Sequence, residues 1–226
     1  MNGSMNIYNV DPQKKEYPLS KALFWATAWG YGNCENGDAT RFPSSLQPIK
    51  ARIKAYEANE GSAFLPLMTF VEAARNAQDR IWVLDGYLFS PVDGMNRSCR
   101  IDAIMRWFPA GLAASSVRLL TASINDDVDR DTERQFHELA KRINEGDKYR
   151  KNRLTIELNF ALVKHFPYVH DRFAIIDDEL WHFGATVGGL HPDVSATSRG
   201  WPAKEYGADQ FFDMAWEGDR DLWRDR

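Results

Sequence analysis

A histidine and an arginine stand two residues apart at His170 and Arg172, a pairing suited to chemistry on a phosphate group. An imidazole can act as a nucleophile or a general acid, and a guanidinium can bind two phosphate oxygens at once. In an extended segment, alternate side chains point to the same side, so His170 and Arg172 share a face with Ala174 and Ile176. The pattern therefore predicts a strand with one face that begins polar and becomes apolar.

The residues that follow predict the element that positions this pair. Asp177 and Asp178 interrupt the apolar run, which resumes at 180–183 and ends in the small residues of 184–189. Turn-forming residues between two apolar runs are typical of a hairpin, and glycines allow a tight turn at its exit. We therefore expect a β-hairpin followed by a glycine-rich turn.

The spacing His170-x-Arg172-x4-Asp177, followed seven residues later by Gly184, resembles the HxK-x4-D-x6-GS motif of the phospholipase D superfamily. Its His-Asp-Arg order is also similar to the phospholipase D-like C-terminal domain of MIT-domain proteins, a membrane-binding rather than a catalytic module. The resemblance implies a phospholipase D-like α/β lobe. It also implies that His170, Arg172 and Asp177 are the residues of a catalytic version of the site.

The chain departs from the family's motif at three positions. Arg172 replaces the lysine, Ala185 the serine and Gly188 the usual asparagine. In the superfamily, one histidine attacks phosphorus, a second protonates the leaving oxygen, and lysine and asparagine stabilise the developing charge. The chain has one such unit, so catalysis implies a homodimer whose two-fold axis brings two copies of His170 together.

The lost donors favour phosphate binding over turnover, because each donor contributes to stabilising the transition state. We therefore predict recognition of a phosphodiester or a phosphorylated headgroup, in nucleic acid or lipid, by a degenerate motif with weak or no turnover. A dimeric, metal-independent nuclease or phospholipase that uses His170 as nucleophile is one alternative. A scaffold that recruits proteins through aromatic surfaces is the other.

Further phosphate contacts are predicted around the motif. Thr186 offers a hydroxyl near the missing serine. A basic run at 148–153 precedes the strand predicted at 154–162 and could contact phosphates. A solvated connection explains that run equally well. The candidate phosphate-binding residues are Arg172, Thr186, Arg199, Lys148, Arg150 and Lys151.

Apolar periodicity predicts an alternation of helices and strands along the chain. Helices are expected at 48–57, 66–78, 101–108 and 132–143, and strands at 21–30, 81–88, 117–122 and 154–162. Thr132 and Gln135 suggest a capping box, and Gly30 to Asn33 suggest a turn. The aromatic segment at 210–223 is compatible with either a strand or a helix. This order predicts an α/β fold: one phospholipase D-like lobe over 19–226, after an extension at 1–18, with a mixed, largely parallel sheet and helices on both faces.

Asp85 interrupts the strand predicted at 81–88 near its end. One interpretation is that Asp85 lies near a ligand, because side chains at that end of open α/β sheets gather around ligands. The alternative is that Asp85 caps its own turn.

Composition limits the partners and the cellular setting. The 226 residues are 44% hydrophobic, enough for one substantial core, and the net charge of -4 gives no general attraction for polyanions. Two cysteines and histidines without metal spacing predict no metal and no cofactor; Asp127, Asp129 and Asp131 imitate a calcium loop that lacks its glycine. No apolar run approaches the roughly 18 residues of a membrane span, so a cytoplasmic protein is expected.

Overall fold

The computed structural model describes residues 22–27, 30–33, 53, 66–92, 95–147, 149–191 and 195–218. The predicted extension at 1–18, most of the predicted helix at 48–57, Lys148 and the end of the segment at 210–223 lie outside the described residues.

The described strands form one mixed sheet. They are β1 (Ala22–Thr27), β2 (Gly30–Asn33), β3 (Arg80–Leu84), β4 (Ser116–Leu120), β5 (Thr155–Asn159), β6 (Arg172–Ile176), β7 (Glu179–Phe183) and β8 (Ala196–Pro202). Their order across the sheet is β2-β1-β8-β7-β6-β3-β4-β5. Parallel pairing joins β3 to β4 and β4 to β5, and the other neighbours are antiparallel.

Helices cover both faces of this sheet, which confirms the predicted α/β lobe. They are α1 (Met68–Arg75), α2 (Arg97–Met105), α3 (Asp126–Gly146), α4 (Leu162–His165) and α5 (Ala208–Glu217). Phe70, Ile104 and Phe136 from the first three helices pack on one face, and Leu162 and Phe212 from the last two pack on the other. Parallel pairing is less extensive than the alternation of helices and strands along the sequence predicts. The reason is that β6, β7 and β8 lie side by side as antiparallel strands, the first two of them forming the predicted hairpin.

The hairpin is confirmed, and its alternation is as predicted. Arg172, Ala174 and Ile176 share a face of β6, and the latter two belong to the core under the first three helices. The turn between β6 and β7 begins at Asp177, which has a φ of 56°. Residues 30–33 form β2 rather than the predicted turn, because they pair with β1 in an antiparallel ladder.

Helix α3 begins six residues before its predicted start at Thr132. Asn125 caps it, since its side chain accepts the Val128 N–H at 3.0 Å, so the predicted capping box at Thr132 is wrong. Thr132 is instead buried in the second turn, and its hydroxyl bonds the Val128 carbonyl at 2.8 Å. The acidic first turn stabilises this N-terminus through the helix dipole.

The sequence did not distinguish a strand from a helix at 210–223, and the described part of this segment is helical. Helix α5 lies between Gly207 and Gly218, both with positive φ, and buries Phe212 and Ala215. No helix of the described residues is long and apolar enough to cross a membrane.

Candidate functional site

The candidate site lies at one edge of the sheet, where β3, β4 and β5 end and β6 begins. Because β3 and β4 are parallel, their carboxyl ends meet at this edge, and the antiparallel pairing of β6 with β3 brings the start of β6 to the same place. Leu84 pairs with Phe173, so the next position along each strand sets Asp85 opposite Arg172. Ligands of open α/β sheets bind outside the carboxyl ends of strands, so this edge is the favoured position for a ligand.

Asp85 is the central buried group of the site. Its side chain is fully buried; Oδ1 accepts the Tyr87 N–H at 2.8 Å, and Oδ2 accepts the Val187 N–H at 2.9 Å. Burial raises the pKa of this carboxyl group, while the two N–H donors and the charges of Arg172 and Arg100 oppose that rise. Asp85 therefore caps its own turn, as one interpretation of the sequence predicted, and also holds the turn after β7 against the end of β3.

Arg172 extends from the start of β6 along this carboxylate. Its Nε lies 3.6 Å from Asp85 Oδ1, and its guanidinium lies 5.0 Å from the centre of the Tyr87 ring. Nη1 donates a long hydrogen bond of 3.4 Å to the Gly184 carbonyl. The side chain is 22% exposed, so it is partly accessible to solvent. The charge is thus held in place by weak contacts that leave donors available for an anion.

His170 lies two residues before Arg172 and is exposed. Its neighbour Asp171 belongs to a different contact, because Asp171 Oδ1 lies 3.5 Å from Nε2 of His182 on β7. Because His170 precedes the first residue of β6 by only two positions, it lies at the same edge of the sheet as Arg172.

The glycine-rich turn after β7 packs into the core and closes one side of the site. Thr186 is buried, precedes the short 3-10 turn Val187–Gly189, and gives no side-chain cap to it. Gly188 has a φ of 78°, and a Cβ added there would lie 2.5 Å from Cζ2 of the buried Trp107. No side chain fits at this position, so a donor corresponding to the family's asparagine is excluded by packing.

Arg100 of α2 supports the opposite side of the site. It is fully buried, and it donates from Nε to the Leu88 carbonyl at 2.7 Å and from Nη1 to the Ser90 carbonyl at 2.8 Å. Burial lowers the pKa of this guanidinium, and the charge of Asp85 opposes the change. Arg100 thus holds the loop that carries Tyr87 and adds a second positive charge near Asp85.

Asp177 is not brought to this edge. It lies beyond the other end of β6, about 16 Å from Arg172 at the usual strand rise of about 3.3 Å per residue. Its carboxylate accepts the N–H groups of Gln78, Asp79 and Arg80, with Oδ1 2.7 Å from the Asp79 nitrogen. This geometry gives Asp177 a structural role in joining the hairpin to β3 and does not support a place among catalytic residues.

The basic run also lies at the far edge, because it precedes β5 whereas the site follows the parallel strands. Arg150 donates to the carbonyls of Leu112, Ala113 and Ala114, just before β4, and from Nε to the Asn152 carbonyl at 2.6 Å. Its guanidinium therefore has a structural role. Lys151 is exposed at this far edge, and Lys148 lies outside the described residues.

Arg199 is also committed to the protein. Its Nε bonds Oε1 of the buried Glu179 at 2.6 Å, and its guanidinium lies 4.4 Å from the centre of the Trp181 ring. Of the five predicted phosphate-binding residues that the structure describes, Arg172 and Thr186 lie at the candidate site.

Sequence reasoning missed Tyr87 and Arg100 as parts of the site. Tyr87 follows the strand-ending aspartate by two residues, which is a signal that could have found it. Arg100 carries no comparable signal, because a helical arginine is ordinarily exposed. Among the described residues, no group of three or more His, Cys, Asp or Glu side chains is arranged to hold a metal ion.

Comparisons with known proteins give only distant likenesses. No protein-family model matches the chain, and no curated protein does. Among solved structures, the archaeal chromatin protein TrmBL2, whose structure shows a novel mode of DNA binding, matches with a TM-score of 0.37 and 14% identity over 76% of this chain and 63% of its own. Phosphatidylserine synthase of Haemophilus influenzae Rd KW20 matches with a TM-score of 0.41 and 14% identity over 72% of this chain and 40% of its own.

NucT from Helicobacter pylori matches with a TM-score of 0.34 and 13% identity over 72% of this chain and 91% of its own. The chain spans less than two thirds of the length of the first two proteins. These likenesses are too distant to carry an argument about this site, which is therefore judged from its own residues.

Proposed function

We propose that the chain recognises a phosphodiester or a phosphorylated headgroup at the edge formed by His170 and Arg172, with weak or no turnover. The observation that carries this proposal is the state of Arg172. Its guanidinium lies beside the Tyr87 ring and the Asp85 carboxylate, yet its contacts are long and the side chain is partly exposed to solvent. A guanidinium held in this way presents parallel N–H donors that match two oxygens of a phosphate.

The turn after β7 supports binding without efficient turnover. A phosphoryl transition state needs donors aimed at the oxygens on which charge develops. Ala185 has no donor side chain, and packing against Trp107 excludes any side chain at Gly188. Each missing donor is expected to cost about 100-fold in rate, whereas static binding through Arg172 does not depend on them.

A dimeric phosphodiesterase is the second candidate, and the exposure of His170 favours it. A nucleophilic imidazole must reach phosphorus, and an exposed histidine at the beginning of a strand is accessible to a substrate and to a second copy of the chain. In this version, His170 of each copy would act on one phosphate, one as nucleophile and the other as general acid.

Binding of diethyl phosphate tests the proposal, since this diester has no titrating group near neutral pH. Arg172→Ala should lower its affinity at least about tenfold, because a charge-assisted hydrogen bond contributes roughly 1.5–3 kcal/mol. Arg153→Ala, which removes an exposed arginine at the far edge, is the matched control and should change affinity less than about twofold. Equal affinities for wild type and Arg172→Ala would rule out this site.

Hydrolysis of bis(4-nitrophenyl) phosphate in excess EDTA tests the second candidate. Turnover that is lost in His170→Ala, kept in His137→Ala and confined to a dimer would establish the phosphodiesterase. His137 is the matched control, because it is exposed on α3. A folded protein that neither binds nor cleaves either diester would instead favour the scaffold.

A further inference from the structure

The Asp85 carboxylate and a bound phosphodiester would compete for the same positive charge. Asp85 is fully buried beside two guanidinium groups: Arg172, whose Nε lies 3.6 Å away, and Arg100, whose charge also acts on it. Both carboxylate oxygens already accept backbone N–H groups, from Tyr87 and Val187. Further stabilisation of the negative charge therefore comes from the two guanidinium charges. Of these two arginines, Arg172 is the one that is partly exposed to solvent.

An anion at Arg172 weakens that stabilisation in two ways. Its own negative charge repels the carboxylate, and its oxygens draw the guanidinium toward solvent, away from Asp85. A buried carboxylate cannot recover the lost interaction from water, since its side chain has no exposed surface. The least costly response is to accept a proton from solvent on one carboxylate oxygen, which leaves a neutral carboxyl group beside the bound anion.

We propose that Asp85 is the positioning residue of this site, holding Arg172 in place in the free protein and taking up a proton when a phosphodiester binds to that arginine. The inference rests on the proposed function and specifies how the same site is regulated. Asp85 does not contact the ligand. It acts through Arg172. The proton that Asp85 takes up offsets the negative charge of the ligand, so the net charge of the site changes less on binding.

The direction of the pH dependence follows from the charges that face Asp85. These are Arg172 from β6 and Arg100 from α2, while Tyr87 and Val187 contribute N–H donors from the two neighbouring turns. Burial already raises the pKa of Asp85 in the free protein, and the bound anion raises it further. Between these two pKa values binding takes up a proton, so affinity falls as pH rises; below both values and above both values it is independent of pH.

Affinity for diethyl phosphate measured from about pH 4 to pH 8 tests this linkage, with calorimetry in two buffers of different ionisation enthalpy to count protons. A full proton taken up per ligand corresponds to about a tenfold loss of affinity per pH unit. The experiment is done with wild type and in a His170→Gln background, which replaces the imidazole at this edge by an amide, so that proton uptake by the variant does not involve that ring.

The proposal is supported if His170→Gln protein still takes up a fraction of a proton on binding and if adding Asp85→Asn abolishes that uptake. Binding without proton uptake at every pH overturns it while leaving phosphate recognition at Arg172 intact. Absence of binding by wild type overturns both. Calorimetry of the His170→Gln protein alone keeps the test decisive if adding Asp85→Asn prevents folding, as could result from the donor that asparagine places against one of the two N–H groups.

Discussion

The two ends of β6 carry the charged residues of one sequence motif, and the protein uses them differently. At the far end, the Asp177 carboxylate accepts three successive backbone N–H groups. At the site, Arg172 lies near a carboxylate and an aromatic ring but makes only a long hydrogen bond among the described residues. A charge whose bonding capacity is used within the fold stabilises it, whereas a positioned charge with spare donors can receive a ligand.

The same contrast separates the arginines at the two edges of the sheet. Arg150 closes the far edge by donating to several main-chain carbonyls, while Arg172 leaves the site edge open. Positive charge in the sequence is therefore a weak guide to phosphate binding, and unused donors at the carboxyl ends of parallel strands are a better one. Three substitutions test this difference between the edges.

The largest effect is expected at the site edge, from Gly188→Asn, which restores the side chain of the resembled motif. The new Cβ would overlap the Trp107 ring, and a φ of 78° disfavours a side chain, so we expect a loss of about 3 kcal/mol in the free energy of unfolding. Denaturant titration measures it. Gly111→Ala is the matched control, because nothing lies within 4 Å of its added Cβ, and should stay within about 0.5 kcal/mol. A stable Gly188→Asn protein would show that the turn can repack.

A smaller loss of stability is expected at the far edge, from Asp177→Ala. Three N–H groups lose their acceptor and a non-glycine residue without a polar side chain must keep a φ of 56°, so unfolding should require about 2 kcal/mol less. Asp171→Ala, at the other end of β6, removes an exposed carboxylate and should cost less than about 0.5 kcal/mol. The folded Asp177→Ala protein should bind diethyl phosphate as wild type does; a selective loss of binding would return Asp177 to the site.

The smallest effect is expected from Lys151→Ala. Lys151 is exposed in the basic run before β5, and β3 and β4 lie between β5 and the strand of Arg172. The two charges are therefore separated by more than the Debye length of about 8 Å at 0.15 M salt, and their effects on one ligand are largely screened from each other. Affinity for diethyl phosphate should change less than about twofold. A loss comparable to that of Arg172→Ala would mean that the far edge, not the site edge, receives the ligand.

Local patterns in the sequence were sufficient for the hairpin and for the shared face of Arg172, Ala174 and Ile176. Alternation over a few residues determines both, and burial of Ala174 and Ile176 fixes which side is inward. The basic run could also have been placed from the sequence, because residues that precede a parallel strand lie at the opposite edge from residues that follow its neighbour. Charge alone suggested a phosphate contact and gave no information about the edge.

The role of Asp85 required the tertiary structure. Its contact with Arg172 depends on the register between β3 and β6, and its hold on Val187 depends on where the chain returns after β7. The contact between Gly188 and Trp107 is likewise a packing of distant segments. Single-sequence periodicity describes neither, since it reports which face a residue occupies and not which residue lies opposite.

The position of β1 at the outer side of β8 has a consequence for the order of folding. Ala22 pairs with Arg199, so the first described strand finds its neighbour only near the end of the chain. During synthesis, β1 and β2 leave the ribosome long before β8 is available to pair with β1. The pairing of β1 with β8 closes a loop that spans most of the described chain, so we expect β1 and β2 to dock late onto the rest of the sheet.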